Sequence, residues 1–480
     1  MEKEYLKGKK VLVMGLGLHG GGVATTKWLV ERGAKVTATD MRTRKVLQPS
    51  IDALQGYKVR YVLGKHDEKD FIVHDIIVAN PGVPRESPYL AIARKAGKRI
   101  VNDVTLFFDT TTQPVIAVTG TRGKTTTTLW VATMLSKKWP LARPSGNTPD
   151  NALLKEAVRI AGKDTPVVAE LSSWQLEFLP QAKRAPHIAI ITNIYPDHLN
   201  RYGNIEHYAL AKGGIFKNQQ DGDFLILNAE DKWTAFFLKQ KPKSMVFYAS
   251  RKELPLRKNG IFVRDGYAIF RADAIEQKIV RVDRFMKERG AHALQNLLEA
   301  LLAVKLYAPE IRMTEKTILE LPDPMMRQEI VHTDKHLVVV NDSCATSPDG
   351  VAAALARFGK DTKQKLFLIA GGTDKQLDFS GLAKDINKIL PPRQLILLEG
   401  TGTSKLLEEL AKLKYTKEVL PVFTTLEDCV LFARSLIREL PVKTKTVLVF
   451  SPGGSSFEKF LHEFARGDAF NALVKKHLKR

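Results

Sequence analysis

The stretch Val115-Ile116-Ala117-Val118-Thr119-Gly120-Thr121-Arg122-Gly123-Lys124-Thr125-Thr126-Thr127-Thr128 runs from an apolar, β-branched strand through a glycine turn into a helix. The backbone N–H groups of such a turn, with those of the helix N-terminus, converge on phosphate oxygens. Lys124 adds a mobile charge, and the Thr125 hydroxyl is placed to sit on Mg²⁺. Gly120, Thr121, Arg122, Gly123, Lys124, Thr125 and Thr126 therefore form a candidate ATP cradle. The spacing is not that of the common Gly-x-x-x-x-Gly-Lys-Ser/Thr loop, which would need glycine where Val118 stands. It is a shorter and narrower Thr-Gly-Thr-x-Gly-Lys-Thr form.

Upstream of this strand the chain alternates strand and helix: Lys10 to Met14, a helix from Gly21 to Arg32, Lys35 to Thr39, then Asp75 to Ala79 before Asn80-Pro81-Gly82-Val83-Pro84. Alternation of this kind predicts a parallel sheet with helices on its faces. Its first turn reads Gly15-x-Gly17-x-x-Gly20, with Asp40 closing the next strand. That is the dinucleotide-fold fingerprint, which serves any nucleotide carrying a diphosphate.

Thr110-Thr111-Thr112-Gln113-Pro114 reads as a hinge, placing a first boundary at Asp109. Downstream, Val167 to Leu171, His187 to Thr192 and Asp223 to Asn228 have the length and branching of buried strands. Two hairpin-like pieces, Gly260 to Val263 and Tyr267 to Phe270, precede a helix from Ala291 to Leu306. After Leu321-Pro322-Asp323-Pro324 come strands at Leu337 to Asn341, Leu366 to Ala370, Leu395 to Leu398 and Thr446 to Phe450. The predicted fold is thus α/β in three domains. Residues 1–109 are Rossmann-like, 110–322 form a P-loop ATPase-type domain with a small β-rich portion, and 323–480 are Rossmann-like again.

The bulk properties bound this reading. A chain of 480 residues exceeds what one hydrophobic core supports, and 44% hydrophobic with 26% charged residues suits a globular protein. No segment is apolar enough to span a membrane, and the run Val11 to Met14 stops at Gly15 without a signal-peptide cleavage site. Two cysteines, Cys344 and Cys429, cannot build a disulfide framework, which fits a cytoplasmic location. The net charge of +22 would suit a nucleic-acid binder, yet Lys and Arg are scattered through every segment and no reading motif accompanies them. The charge is read as a solvated surface that attracts anionic substrates.

Two further sites follow central strands: Glu170 in Glu170-Leu171-Ser172-Ser173-Trp174-Gln175-Leu176-Glu177, and the close of Thr192-Asn193-Ile194-Tyr195-Pro196-Asp197-His198. Residues at the carboxyl ends of parallel strands face the ligand crevice, so an acid and a histidine there can reach Mg²⁺. Taken singly, each is more commonly a helix cap or a hydrogen-bonded turn residue.

These three motifs, with Asn341-Asp342-Ser343, Gly371-Gly372-Thr373-Asp374-Lys375, Ser451-Pro452-Gly453-Gly454-Ser455-Ser456-Phe457 and Arg466-Gly467, resemble the Mur ligases in order along the whole chain. The resemblance is strongest to the members that add D-glutamate to UDP-N-acetylmuramoyl-L-alanine with ATP during cell-wall precursor synthesis. It implies that Gly15, Gly17 and Asp40 serve a uridine diphosphate, with Asn147 and Gln175 on the sugar substrate. It implies catalytic roles for Lys124, His198 and Lys212, two Mg²⁺ held by Thr125, Glu170, His198 and Lys212, and a carbamate on Lys212. Arg327 and Asp342 would contact ATP, and Thr346, Lys375 and Ser456 the carboxylates of the amino acid. A monomer acting on small molecules is expected.

The chain departs from the family pattern in places. Arg122 stands where Asn is frequent, Met326 replaces a usual His, Cys344 takes the place of a frequent Lys, and Glu463-Phe464 inverts a common Phe-Glu order. These leave open a sister ligase adding another amino acid. From other classes, a Rossmann oxidoreductase would account for residues up to Asp109 but leaves Lys124 and Glu170 idle, and a P-loop nucleic-acid-dependent ATPase would exploit the positive charge.

Overall fold

The computed structural model describes residues 5–18, 20–146, 152–359, 361 and 363–478. Among these residues the strands build three sheets. The first is parallel throughout, in the spatial order Val59–Leu63, Lys35–Asp40, Lys10–Met14, Ile76–Ala79, Arg99–Val101. Chain order reverses at Lys10–Met14, so Gly15 emerges at the switch point, where an open α/β sheet leaves a crevice.

The second sheet runs Ile275–Arg281, Tyr267–Ala272, Gly260–Arg264, Met245–Ser250, Phe224–Asn228, Ile188–Ile191, Val115–Thr119, Val167–Glu170, Pro144–Ser145. Its last strands are parallel, and the pairs formed by Tyr267–Ala272 with its two neighbours are antiparallel. Val115–Thr119 is central: Thr119 pairs with Ile191 on one side and Val118 with Glu170 on the other. Three strand ends therefore open side by side, and each leads into one of the three central motifs.

These strands form where apolar residues run uninterrupted, because both faces are covered. Val115 to Val118 are at most 2% exposed. One face packs on the helices Lys124–Leu135 and Asp283–Tyr307 through Trp130, Val131, Leu294, Leu298 and Leu301. The other face shares a core with the first sheet: Val11, Val36 and Val78 belong to the same buried cluster as Val115, Ala117 and Ala189. The helix Asp103–Thr110, with Val104, Leu106, Phe107 and Phe108 all buried, joins that cluster.

The third sheet is ordered Glu329–Thr333, Leu337–Asn341, Thr446–Phe450, Lys365–Ala370, Leu395–Leu398, Val422–Phe423 and is parallel except for its first strand. Helices cover both faces in two separate apolar clusters.

The chain divides into two compact units, residues 1–286 with 293–321 and residues 287–292 with 322–480. The helix Asp283–Tyr307 is broken at Gly290, whose φ of 86° and ψ of 169° no helix accommodates. No helix among the described residues is long and apolar enough to cross a membrane.

Candidate active site

The glycine turn is held in shape by its own chain. Gly120 adopts φ 145° and Gly123 φ 84°, backbone that side chains rarely adopt. A Cβ on Gly120 would lie 1.9 Å from Thr192 Oγ1, and one on Gly123 2.3 Å from Asn296 Oδ1. The next strand end braces the turn: Thr121 N donates to Asn193 O (2.9 Å), Arg122 N to Asn193 Oδ1 (2.9 Å), and Thr192 Oγ1 to Arg122 O (2.6 Å). Tyr195 N donates to Thr121 Oγ1 (3.0 Å). The first turn of the following helix carries Lys124, Thr125 and Thr126, all partly exposed. The turn is thus held in shape by its own chain, and Asn193 and Thr192, which open the histidine motif, are its braces.

Lys124 and Lys212 meet here. Lys124 Nζ donates to the carbonyls of Gly120 and Thr121 (both 3.1 Å), and Lys212 Nζ donates to the same Gly120 carbonyl (2.7 Å). Lys212 is 1% exposed, on the helix Ile205–Gly213. Burial, and then the nearby Lys124 charge, push its amine well below the ordinary lysine range. A buried amine beside a second cation gives up its proton readily. Asp197 and Glu170 act on it in the opposite sense, which places both acids near it.

Glu170 ends its strand and is buried. Arg122, the residue at a position where the family often has Asn, pairs with Asp197 (Nη1 to Oδ2, 2.9 Å), and Asp197 Oδ1 accepts from His198 N (2.9 Å). His198 has φ 52° and heads the short helix Leu199–Tyr202. Its ring lies 5.5 Å from that of Trp174 and 6.1 Å from that of Tyr208. Among the described residues no group of three or more His, Cys, Asp and Glu converges as a ready cation site. Thr125, Glu170 and His198 supply oxygen and nitrogen donors, and Lys212 contributes an amine, not an acid.

At the first sheet, Gly15 (φ 91°) and Gly17 (φ 61°) form the expected tight turn. Asp40 braces it: one carboxylate oxygen accepts from Gly17 N (2.9 Å) and the other from Arg42 N (2.9 Å). Gln175 caps the helix Ser173–Leu176, its amide oxygen accepting from Ser172 N (2.9 Å) and Oγ (3.0 Å). Asn147 lies outside the described residues.

In the second compact unit, Asp342 follows the strand Leu337–Asn341 and is 4% exposed. Burial raises its carboxyl to about 7, against the Ser451 hydroxyl (2.7 Å) and Gln328 N (3.0 Å), both of which donate to it. The Arg327 charge also acts on Asp342, so these two candidates are neighbours. Lys375 Nζ donates to Thr346 Oγ1 (3.2 Å), bringing together two residues read 29 positions apart. The Ser456 hydroxyl is buried with no partner among the described residues. Cys344 carries no charge here, since burial lifts its thiol to about 11.

Two features escaped the sequence reading. Glu299 is fully buried on the helix Asp283–Tyr307, its carboxyl raised to about 8 by burial; Oε1 accepts from Gln295 Nε2 (3.1 Å), and Oε2 has no partner among the described residues. An acid between Leu298 and Ala300 was the visible signal. Arg201 and Glu177 form a largely shielded bidentate pair; Glu177 closes one quoted motif and Arg201 lies just past the other, with nothing in the spacing to link them.

Residues 9–102 match the MurD-like N-terminal domain of Mur ligases, and residues 118–304 the Mur ligase middle domain. The chain is 37% identical over 473 residues to the UDP-N-acetylmuramoylalanine--D-glutamate ligase of Roseiflexus sp. (strain RS-1), covering 98% of this chain and 99% of that one. Among solved structures, MurF from Acinetobacter baumannii matches with a TM-score of 0.58 at 16% identity, over 100% of this chain and 92% of the other. MurF ligase from Thermotoga maritima, in complex with ADP, matches with a TM-score of 0.55 at 15% identity, over 99% and 96%. Likeness at such identity speaks for the fold alone.

Proposed function

The chain belongs to the Mur ligase family, and we propose that it joins D-glutamate to UDP-N-acetylmuramoyl-L-alanine at the cost of ATP, in peptidoglycan precursor synthesis. The observation that carries the reading is the preformed glycine turn on which Lys124 and Lys212 share one carbonyl beside Glu170.

A carboxylate is a poor acyl donor. In the proposed reaction its oxygen forms a bond to the γ-phosphorus of ATP as the bond to ADP breaks, giving an acyl phosphate. The amine of D-glutamate then attacks the acyl carbon and loses a proton, and orthophosphate leaves. The turn amides and Lys124 hold the phosphoryl oxygens where charge accumulates, in a position fixed before ATP arrives. Gly15 and Gly17 serve the uridine diphosphate within residues 1–109, with Asp40 bracing their turn. Of residues 323–480, Arg327 and Asp342 serve the nucleotide, while Lys375, Thr346 and Ser456 hold the carboxylates of the amino acid. A lysine, a hydroxyl bonded to it and an unpartnered buried hydroxyl suit that task.

Thr125, Glu170 and His198 would hold Mg²⁺. The donor set fits a hard cation once Lys212 is carbamylated: its amine in the neutral form adds CO₂ and releases a proton, and the nitrogen side chain becomes an oxygen ligand. When bound, the ion neutralises the crowded phosphate and carboxylate oxygens. The protein is read as a cytoplasmic monomer.

Phosphate release from ATP, measured with UDP-N-acetylmuramoyl-L-alanine and a panel of D- and L-amino acids, tests the function. Release requiring both substrates, fastest with D-glutamate, is expected. A different preferred amino acid would assign a sister ligase, and release driven by DNA or RNA would overturn the reading.

A further inference from the structure

Arg201 stands between the glycine turn of the first sheet and the His198 segment of the second. Its Nε donates to Glu177 Oε1 and its Nη2 to Glu177 Oε2, both at 2.9 Å, and the Tyr202 hydroxyl donates to the same Oε1 at 2.7 Å. The two side chains are 12% and 7% exposed, so the pair is shielded from water and its geometry is stiff. On one side, Arg201 Nη2 also donates to the carbonyl of Val83 (3.3 Å). Val83 closes a turn in which Asn80 O accepts from Val83 N (2.8 Å) and Asn80 Nδ2 donates to Gly15 O (3.1 Å). That turn packs so closely on Gly15 that a Cβ there would sit 3.0 Å from Asn80 Cβ and 3.4 Å from Val83 Cγ2.

On the other side, the Arg201 guanidinium lies 4.7 Å from the centroid of Trp174, whose ring is 5.5 Å from His198. Arg201 N donates to the carbonyl of His198 (3.0 Å), so the arginine is joined to the histidine by backbone as well as through the indole. The Trp174 N–H is buried with no partner among the described residues.

We propose that Arg201 is a positioning residue that couples occupancy of the Gly15 turn by the nucleotide-sugar substrate to the placement of His198 at the ATP cradle. This rests on the functional reading above. A diphosphate settling against Gly15 fixes the Asn80–Val83 turn. Arg201, tied to Val83 O, is then fixed with it, and Trp174 and the His198 segment follow. The ligands thereby favour each other's binding without touching Arg201.

The test is the affinity for ADP with Mg²⁺, measured by calorimetry with and without UDP-N-acetylmuramoyl-L-alanine. In the unaltered protein the sugar substrate should tighten ADP binding at least about five-fold, the lower range of such couplings. In Arg201→Lys, which keeps the charge but loses the bidentate fork, the ratio should fall to about one while ADP alone binds as before. The pair of changes Arg201→Met with Glu177→Met removes both buried charges together, an exchange that folds commonly tolerate, and should give the same loss. A merely structural role would weaken each ligand but leave the ratio intact. A ratio unchanged in the variants, or a ratio of one in the unaltered protein, overturns the coupling alone. Failure of the unaltered protein to bind either ligand overturns the functional reading, and the coupling with it.

Discussion

Lys124 and Lys212 donate to one oxygen, the carbonyl of Gly120, at 3.1 and 2.7 Å. Two ammonium groups on one acceptor repel each other, and burial with the Lys124 charge lowers the Lys212 amine well below the ordinary lysine range. The neutral form of an amine is the one that adds CO₂. With ¹³C-bicarbonate, a carbamate carbon resonance is expected in the unaltered protein and absent in Lys212→Arg. Activity should fall on exhaustive degassing and return with bicarbonate.

Lys124→Ala should lower kcat by about 10²- to 10³-fold, the cost of removing one charged or dipolar contact to a developing oxyanion. Asn193 and Thr192 brace the glycine turn along with Lys124, whose ammonium ties the Gly120 and Thr121 carbonyls, so the melting temperature should fall by far less than the activity does. Steady-state phosphate release and calorimetric melting separate the two effects.

Gly120→Ala should disturb both. The new Cβ would collide with Thr192 Oγ1, which donates to Arg122 O, and the φ of 145° is itself unfavourable for alanine. A stability loss of about 1–3 kcal/mol is expected in urea unfolding, with nucleotide affinity lost in parallel.

Lys375→Ala should raise KM for D-glutamate about ten- to a hundred-fold, as loss of a charge-assisted hydrogen bond does, and leave KM for ATP nearly unchanged. Kinetics with each substrate varied in turn provide the check.

Glu299 should make stability pH-dependent. Burial raises its carboxyl from 4.5 to about 8, so the folded chain keeps a proton that the unfolded chain gives up above pH 4.5. Its contribution is therefore fullest below that pH and is lost as pH rises toward 8, at most about 1.4 kcal/mol per unit. Glu299→Gln removes the titration. Its unfolding free energy should fall less than that of the unaltered protein between pH 5 and 9, and a parallel decline in both would refute the assignment.

The strands Lys10–Met14, Leu337–Asn341, Leu395–Leu398 and Thr446–Phe450 were legible because each is a continuous apolar run covered on both faces. Val59–Leu63 and Ile275–Arg281 were not. Both lie at sheet edges, and Ile275 to Lys278 are exposed, so apolar patterning is weak there. The helix expected from Ala291 begins at Asp283, because the break at Gly290 splits it and hides its first turns.

The glycine turn was readable since its parts are adjacent in sequence. The Arg201–Glu177 pair spans 24 residues and depends on where two strands end, which only folding decides. Lys212 shows the same limit: a lysine on a helix looks solvated in the sequence, and its burial against the Gly120 carbonyl is set by the fold.

The break at Gly290 has a further effect on how the molecule can be dissected. Residues 287–292 belong with 322–480, whereas 286 and 293 belong with the other unit. The polypeptide therefore threads from one unit to the other three times, and no single scission liberates an intact half. A fragment ending at residue 321 would therefore carry six residues of the second unit, and one beginning at 322 would lack them.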